Sequence, residues 1–229
     1  MGDKSQESRT VDLLVCDMAG TTVLDEGQVP AAFTAALADY GVAVSAEAIN
    51  RLRGASKREA ISELLPVTAD RAERTEHVYE AFRAHLERGF GQSVRPVPGA
   101  AETIRKLREH GVKVALNTGF DRDTTNLLLR ALGWDGGFVD VVVCGDEVAE
   151  GRPAPDLIRA CMSATGVADA SRVAAVGDTV LDLRAGHNAG VAFNIGVLSG
   201  AHGREQLERE PHTHLLSGVT DIPGLLGLR

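Results

Sequence analysis

Apolar residues follow two rhythms along this chain. Val11–Asp17 (VDLLVCD) is a short apolar run that ends in an acid and is followed by Met18 and then Ala-Gly-Thr-Thr. A run of that length closed by a polar loop reads as a buried parallel strand. After Val23 the rhythm becomes helical: Pro30–Tyr40 stops at Gly41, a second helix begins near Ser45, a third covers Ala55–Leu65, and a long one runs from about Ala69 to Arg88. No strand is predicted there. The segment VRPVPGA at 94–100 breaks the pattern and reads as a return linker.

From Gly99 helices and strands alternate. Ala100–His110 is a helix stopped by Gly111, and VKVALN is a strand; Asp121–Leu132 is a helix, and FVDVVVC is a strand. Pro155–Thr165 and Thr179–Ala189 are helices followed by the strands RVAAVGD and VAFNIGV, and a last strand, THLLS, precedes a short helix. Repeated βα units with right-handed crossovers make a doubly wound parallel sheet covered on both faces. The predicted fold class is therefore α/β, with residues 1–24 and 96–229 as the core and 25–95 as a helical cap inserted after the first strand.

Composition narrows the function. The 229 residues are 44% hydrophobic and 24% charged, with a net charge of −8. An acidic chain without a basic stripe argues against nucleic-acid and membrane-surface partners, while leaving room for a small anionic substrate. The polar opening MGDKSQESRT carries no signal-peptide run, and the apolar stretches are too short to span a membrane. Cys16, Cys144 and Cys161 stand singly, as expected of reduced, buried thiols in a cytoplasmic protein. His202, His212 and His214 lack metal-ligand spacing and are expected at the surface, and Trp134 is expected to pack at a helix end.

Open parallel sheets bind ligands at the carboxyl ends of their strands. Asp17 follows the first strand, Asn117-Thr118-Gly119 the next, and Gly177-Asp178-Thr179 a later one. Asp17-Met-Ala-Gly-Thr-Thr-Val, Asn-Thr118-Gly, Gly-Arg152-Pro and Gly-Asp178-Thr-Val-Leu-Asp182 stand in the order of the four motifs of haloacid dehalogenase-like hydrolases. The chain resembles that family over nearly its whole length. The resemblance implies Asp17 as nucleophile on phosphorus, the loop amides at Ala19, Gly20 and Thr21 with Gly119 and the Thr118 hydroxyl around the phosphoryl oxygens, and Arg152 as the fixed cation. It also implies Mg²⁺ held by Asp17, Asp178, Asp182 and the carbonyl of Ala19, an all-oxygen set that suits a hard cation.

Family phosphatases carry a second aspartate two residues after the nucleophile, to protonate the departing alcohol; here that position is Ala19, which moves no proton. In this the chain is similar to the phosphonatase branch, the phosphonoacetaldehyde hydrolases. Those enzymes break a carbon–phosphorus bond after a cap lysine forms an imine with the substrate carbonyl. Lys57, three residues after Gly54, matches that lysine, and with Arg53, Ile61 and Leu64/Leu65 it follows helical spacing along an apolar face. Three positions depart from the branch: Arg53 replaces a methionine, Ala60 a histidine and Phe120 a tyrosine. They fall on the substrate side and leave the phosphoryl machinery intact. Arg53 is read as a binder of a substrate carboxylate or second anionic group. The expected substrate is a small phosphonate or phosphorylated compound. A phosphate monoesterase of the phosphoglycolate-phosphatase type, a metal-independent dehalogenase and a non-catalytic binding protein are the alternatives. Relatives often dimerise through the cap, so a homodimer is also within what the resemblance implies.

Overall fold

The computed structural model describes residues 11–90 and 94–228; the polar amino terminus read above lies outside them. Six strands, β1 (Leu13–Asp17), β2 (Lys113–Thr118), β3 (Val141–Cys144), β4 (Val173–Gly177), β5 (Phe193–Val197) and β6 (His214–Leu216), form one sheet in the order β3-β2-β1-β4-β5-β6. Every pair is parallel. The α/β doubly wound class expected from the alternating pattern is the observed one.

Period-two alternation divides the core between the faces of the sheet. Leu13 and Val15 of β1 join Ala115, Val143, Val173 and Ala175 under the helix Asp156–Thr165. Leu14 and Cys16 turn the other way, toward Val114, Leu116, Ala174 and Val176 and the helix Ala100–Glu109. All three cysteines are free and buried. Burial pushes the Cys144 and Cys161 thiols up to about 12, so they are packing groups and not nucleophiles.

Among the described residues four helices follow β1 before the chain returns to the sheet at Arg95–Val97: α1 (Gln28–Asp39), α2 (Ala46–Arg51), α3 (Lys57–Leu64) and α4 (Arg71–Phe90). They have apolar contacts of their own, with Phe33 of α1 against Phe82 of α4 at 4.6 Å between ring centres and Leu37, Ile61, Val78 and Leu86 fully buried. The chain leaves and re-enters the sheet side by side: Leu24 N–H donates to the Arg95 carbonyl and Val97 N–H to that of Thr22, both at 2.9 Å. The remaining helices are α5 (Ala100–Glu109), α6 (Arg122–Leu132), α7 (Asp156–Thr165), α8 (Val180–Ala189), α9 (Arg204–Leu207) and α10 (Ile222–Leu225). Among the described residues no helix is long and apolar enough to cross a membrane.

Predicted and observed ends mostly differ by a residue or two, and one of these differences is instructive. The third helix begins at Lys57 rather than Ala55, because Gly54 takes φ +90° and Ser56, at the N-cap position, has a non-helical backbone and makes no side-chain cap bond. Arg53 thus belongs to the turn after α2 and is not on one helical face with Lys57; Ile61, one turn on, is. Trp134 follows the left-handed cap Gly133 of α6 and stacks on Phe138, as expected for helix-end packing.

Candidate active site

Strand register brings the expected residues to one edge. Asp17 pairs with Asn117, Thr118 with Cys144, and Cys16 with Val176, which leaves Asp178 one step beyond the end of β4. Asp17, Thr118, Asp178 and Asp182 are all buried. Asp17 and Thr118 line a small cavity with Ala19, Val29, Arg53, Gly54, Lys57, Gly119, Phe120, Arg152 and Thr179.

The loop after β1 folds on itself. The N–H groups of Thr21, Thr22 and Val23 converge on the Met18 carbonyl, and Gly20 N–H donates to Val23. The expectation that the Gly20 and Thr21 amides cradle phosphoryl oxygens therefore meets a competing bond at each. Ala19 is the exception: among the described residues neither its N–H nor its carbonyl has an intramolecular partner. Gly20, at φ +96°, lets the loop pass Asp178, since a Cβ there would lie 2.3 Å from the Asp178 carboxylate. Thr21 donates its hydroxyl to Asp178 at 2.9 Å, and Ala201 N–H donates to the other oxygen at 2.7 Å.

Arg152 is almost wholly enclosed. Its Nη1 sits 2.7 Å from Asp17 Oδ1 and 2.9 Å from Asp182 Oδ1, while Nη2 donates to the Asn117 side chain at 2.7 Å and to its carbonyl. The second oxygen of Asp182 accepts from the Thr179 N–H and hydroxyl in the capping box that starts α8. Both oxygens of Asp182 are thus taken. Among the described residues no group of three or more His, Cys, Asp or Glu side chains closes round an ion. The expectation that Asp17, Asp178 and Asp182 share one has to be redrawn, because a guanidinium stands between two of them.

The donor set still fits a hard cation. Asp178 is fully buried, held by an N–H and a hydroxyl but by no ion pair among the described residues. Burial first, then the charges of Asp17 and Asp182, push its carboxyl up to about 7. Burial also raises Asp17, to about 6, although Arg152 opposes the rise. Asp178, without an ion pair among the described residues, together with the Asp17 oxygen that Arg152 leaves unused and the unpartnered Ala19 carbonyl, is an all-oxygen donor set of the kind that suits Mg²⁺.

Lys57 enters from the helical insert. Its side chain is buried, its Nζ donates to the Ala55 carbonyl at 3.0 Å, and it lies 4.8 Å from the centre of the Phe120 ring. It is therefore not a solvent-seeking cap lysine. Burial, reinforced by the cations Arg53 and Arg152, lowers its ammonium to about 8 against the pull of Asp17. The segment that carries it is clamped to the core. Lys57 N–H donates to the Gly119 carbonyl, Arg152 reaches the Gly54 carbonyl, and a Cβ on Gly119 would lie 2.3 Å from the Ala55 oxygen. Thr118 Oγ accepts from Phe120 N–H, which leaves its own proton free to donate. Arg53 pairs with buried Asp25 at 2.5 Å.

Sequence reasoning missed several of these parts. His202 is buried rather than at the surface: its Nδ1 accepts from Val180 N–H and its Nε2 bonds the Asn50 carbonyl of α2, both at 3.0 Å, so it ties the insert to α8. Nothing in its loop-rich surroundings signals this. Asn117 as the seat of Arg152, and Asp25 as the anchor of Arg53, were also unassigned. Asp25 was findable, since an acid just ahead of α1 is a capping signature, and its Oδ1 does accept from Gly27 and Val29 N–H.

Comparison with known proteins agrees with this geometry. The family model of haloacid dehalogenase-like hydrolases matches residues 11–190. A phosphonoacetaldehyde hydrolase from Bacteroides fragilis is 30% identical over 217 residues, covering 89% of this chain and 82% of that protein. A hydrolase from Pseudomonas syringae superposes with TM-score 0.85 at 26% identity, covering 94% of this chain and 98% of that one. A phosphonoacetaldehyde hydrolase-like protein from Oleispira antarctica gives 0.84 at 22% identity, covering 95% and 91%, and speaks for the fold. With an aspartate at the end of β1, the other motif residues gathered around it and Ala19 where a proton donor would stand, the chain belongs to the haloacid dehalogenase-like hydrolases, on their phosphonatase-like branch.

Proposed function

We propose that this enzyme is an Mg²⁺-dependent hydrolase that cleaves the carbon–phosphorus bond of a small carbonyl-bearing phosphonate. The observation that carries the reading is a buried amine, Lys57, on the same small cavity as the buried carboxylate Asp17, with Ala19 beside them. A phosphatase needs an acid at that point to protonate an alkoxide. A carbon leaving group needs an electron sink instead, and an amine that forms an imine supplies one. Residues 25–95 act as the cap over a core of 1–24 and 96–229, since they deliver that amine.

In the reaction, Lys57 condenses with the substrate carbonyl and water leaves. Asp17 attacks phosphorus through Oδ2, because Oδ1 is held by Arg152. The carbon–phosphorus pair flows into the protonated imine to give an enamine, and the phosphoryl group stays on Asp17. Water then cleaves the aspartyl-phosphate, while the enamine takes a proton on carbon and its imine is hydrolysed. The Thr118 hydroxyl and Ala19 N–H donate to phosphoryl oxygens. Arg152 and Asp182 hold Asp17 in place. Asp17, Asp178 and the Ala19 carbonyl would hold the Mg²⁺, which supplies charge neutralisation for the anionic substrate.

The test is phosphate release from phosphonoacetaldehyde, other phosphonates and phosphate monoesters, with Mg²⁺, by wild type and Lys57→Ala. We expect phosphonate turnover that drops on the order of a thousandfold or more in the variant. Strong monoester hydrolysis that survives Lys57→Ala would instead make this a phosphatase.

A further inference from the structure

Arg53 is the charged residue of the cavity that the mechanism above leaves without a task. Its side chain is 13% exposed and is held to Asp25 through Nη2 alone. Asp25 is in turn held in place: its side chain is 1% exposed, and its other oxygen accepts from the N–H groups of Gly27 and Val29 at the start of α1. Among the described residues Nε and Nη1 of Arg53 have no partner. The guanidinium is thus braced from behind and keeps unused donors, and its residue lines the pocket that holds Lys57 and Asp17. A guanidinium held in this way costs little entropy to engage, and either unused nitrogen can donate a charge-assisted hydrogen bond to a carboxylate oxygen.

We propose that Arg53 selects a substrate whose carbonyl carbon also carries a carboxylate: a 2-oxo acid with phosphorus on its third carbon. This rests on the imine reading of Lys57 and adds the identity of the group attached to that carbonyl. The three substituents of such a carbonyl carbon match the three chemistries lining the cavity. The oxygen is replaced by the Lys57 nitrogen, the methylene carries phosphorus to Asp17, and the carboxylate meets Arg53. An aldehyde presents only hydrogen at the third position, and a partly buried guanidinium facing a C–H bond loses water without gaining a partner. The balance of the reaction is one water consumed: the carbon–phosphorus bond is replaced by a carbon–hydrogen bond on the product 2-oxo acid and an oxygen on inorganic phosphate, with no oxidant or reductant. A reaction that makes a 2-oxo-3-phosphono acid must therefore supply this enzyme, and one that consumes a simple 2-oxo acid can drain it.

The experiment compares 3-phosphonopyruvate with phosphonoacetaldehyde by phosphate release in Mg²⁺, for wild type, Arg53→Met and Arg53→Lys. Wild type is expected to favour 3-phosphonopyruvate in kcat/KM. Arg53→Met should reduce the ratio of the two kcat/KM values about 100-fold, mainly through KM for the acid, as loss of a charge-assisted pair implies. Arg53→Lys should recover part of that ratio. A second readout accompanies it: with cyanoborohydride, the pyruvate concentration that leaves a mass adduct on Lys57 should rise in Arg53→Met while the acetaldehyde concentration stays the same, and an unchanged pyruvate dependence would overturn the role of Arg53. A wild type that prefers the aldehyde, or variants that depress both substrates equally, would overturn the role of Arg53 and leave the imine standing. Phosphate release from neither phosphonate, with monoesters turned over, would overturn the imine reading and this inference with it.

Discussion

At the scale of single residues, the chemistry depends on a cation made weak and an anion made reluctant. Lys57 is lowered to about 8 by burial, aided by Arg53 and Arg152, so roughly a tenth of it is the neutral amine at pH 7, far more than an ordinary lysine offers. The neutral form is the nucleophile toward a carbonyl. Adduct formation with cyanoborohydride should therefore rise about tenfold per pH unit below 8 and level off above it. Mass spectrometry across pH 6–10 would show this, and an inflection near the ordinary lysine value would refute the burial argument. Asp17 is the other half. Its Oδ1 is engaged by Arg152, and Asn117 and Asp182 fix that guanidinium. Much of this was legible from residue type and order: an acid after an apolar run, Thr118 and Asp178 after two more, and Lys57 after a glycine. That Asp182 faces Arg152 was not, because an i, i+4 pair of acids on paper does not say which oxygens a neighbouring strand's loop will claim.

At the scale of elements, the turn between α2 and α3 matters most. Gly54 adopts a left-handed conformation, and Gly119 presses its bare Cα against the Ala55 carbonyl. No side chain fits there without backbone movement. Gly119→Ala should push the Lys57-bearing turn away from β2, reducing kcat/KM by on the order of 100-fold, while the sheet stays folded with Tm lowered by only a few degrees. Steady-state kinetics beside a thermal melt would check it; full activity in the variant would mean that the clamp is not needed for turnover. The misplaced start of α3 belongs to this turn. Helical periodicity could run through Ala55 and Ser56, but contact with Gly119 and the Lys57 N–H bond to its carbonyl hold the segment out of the helix. Local pattern is blind to such a partner 64 positions away in the sequence.

At the scale of the whole molecule, three buried carboxylates, Asp17, Asp178 and Asp182, share one buried guanidinium, Arg152. Asp17 and Asp178 are raised by burial to about 6 and about 7, so each holds a proton in the folded state across a window where the unfolded chain has lost it. The metal-free protein should thus lose stability as pH rises from about 4 through 7. A divalent ion that binds the ionised pair reverses the cost. Saturating Mg²⁺ should raise Tm on the order of 5 °C at pH 8 and far less at pH 5. Differential scanning fluorimetry with and without chelator would measure both; an equal shift at the two pH values would contradict a site built on these carboxylates. His202 acts at this scale too, joining α8 to the helical insert through two hydrogen bonds.

What the amino-acid order determined by itself was the alternation of strands and helices, the helical insertion after β1, and the residue types delivered to the strand ends, because hydrophobic period and glycine stops are local and survive in a single line of text. The tertiary structure decided the rest: that Arg152 lies between Asp17 and Asp182, that the Gly20 and Thr21 amides are spent inside their own loop, that His202 is interior, and that Asp25 braces Arg53. Each of those depends on which of several competing polar groups comes within about 3 Å, and that distance is set only when the sheet, the loops and the insert have closed on one another.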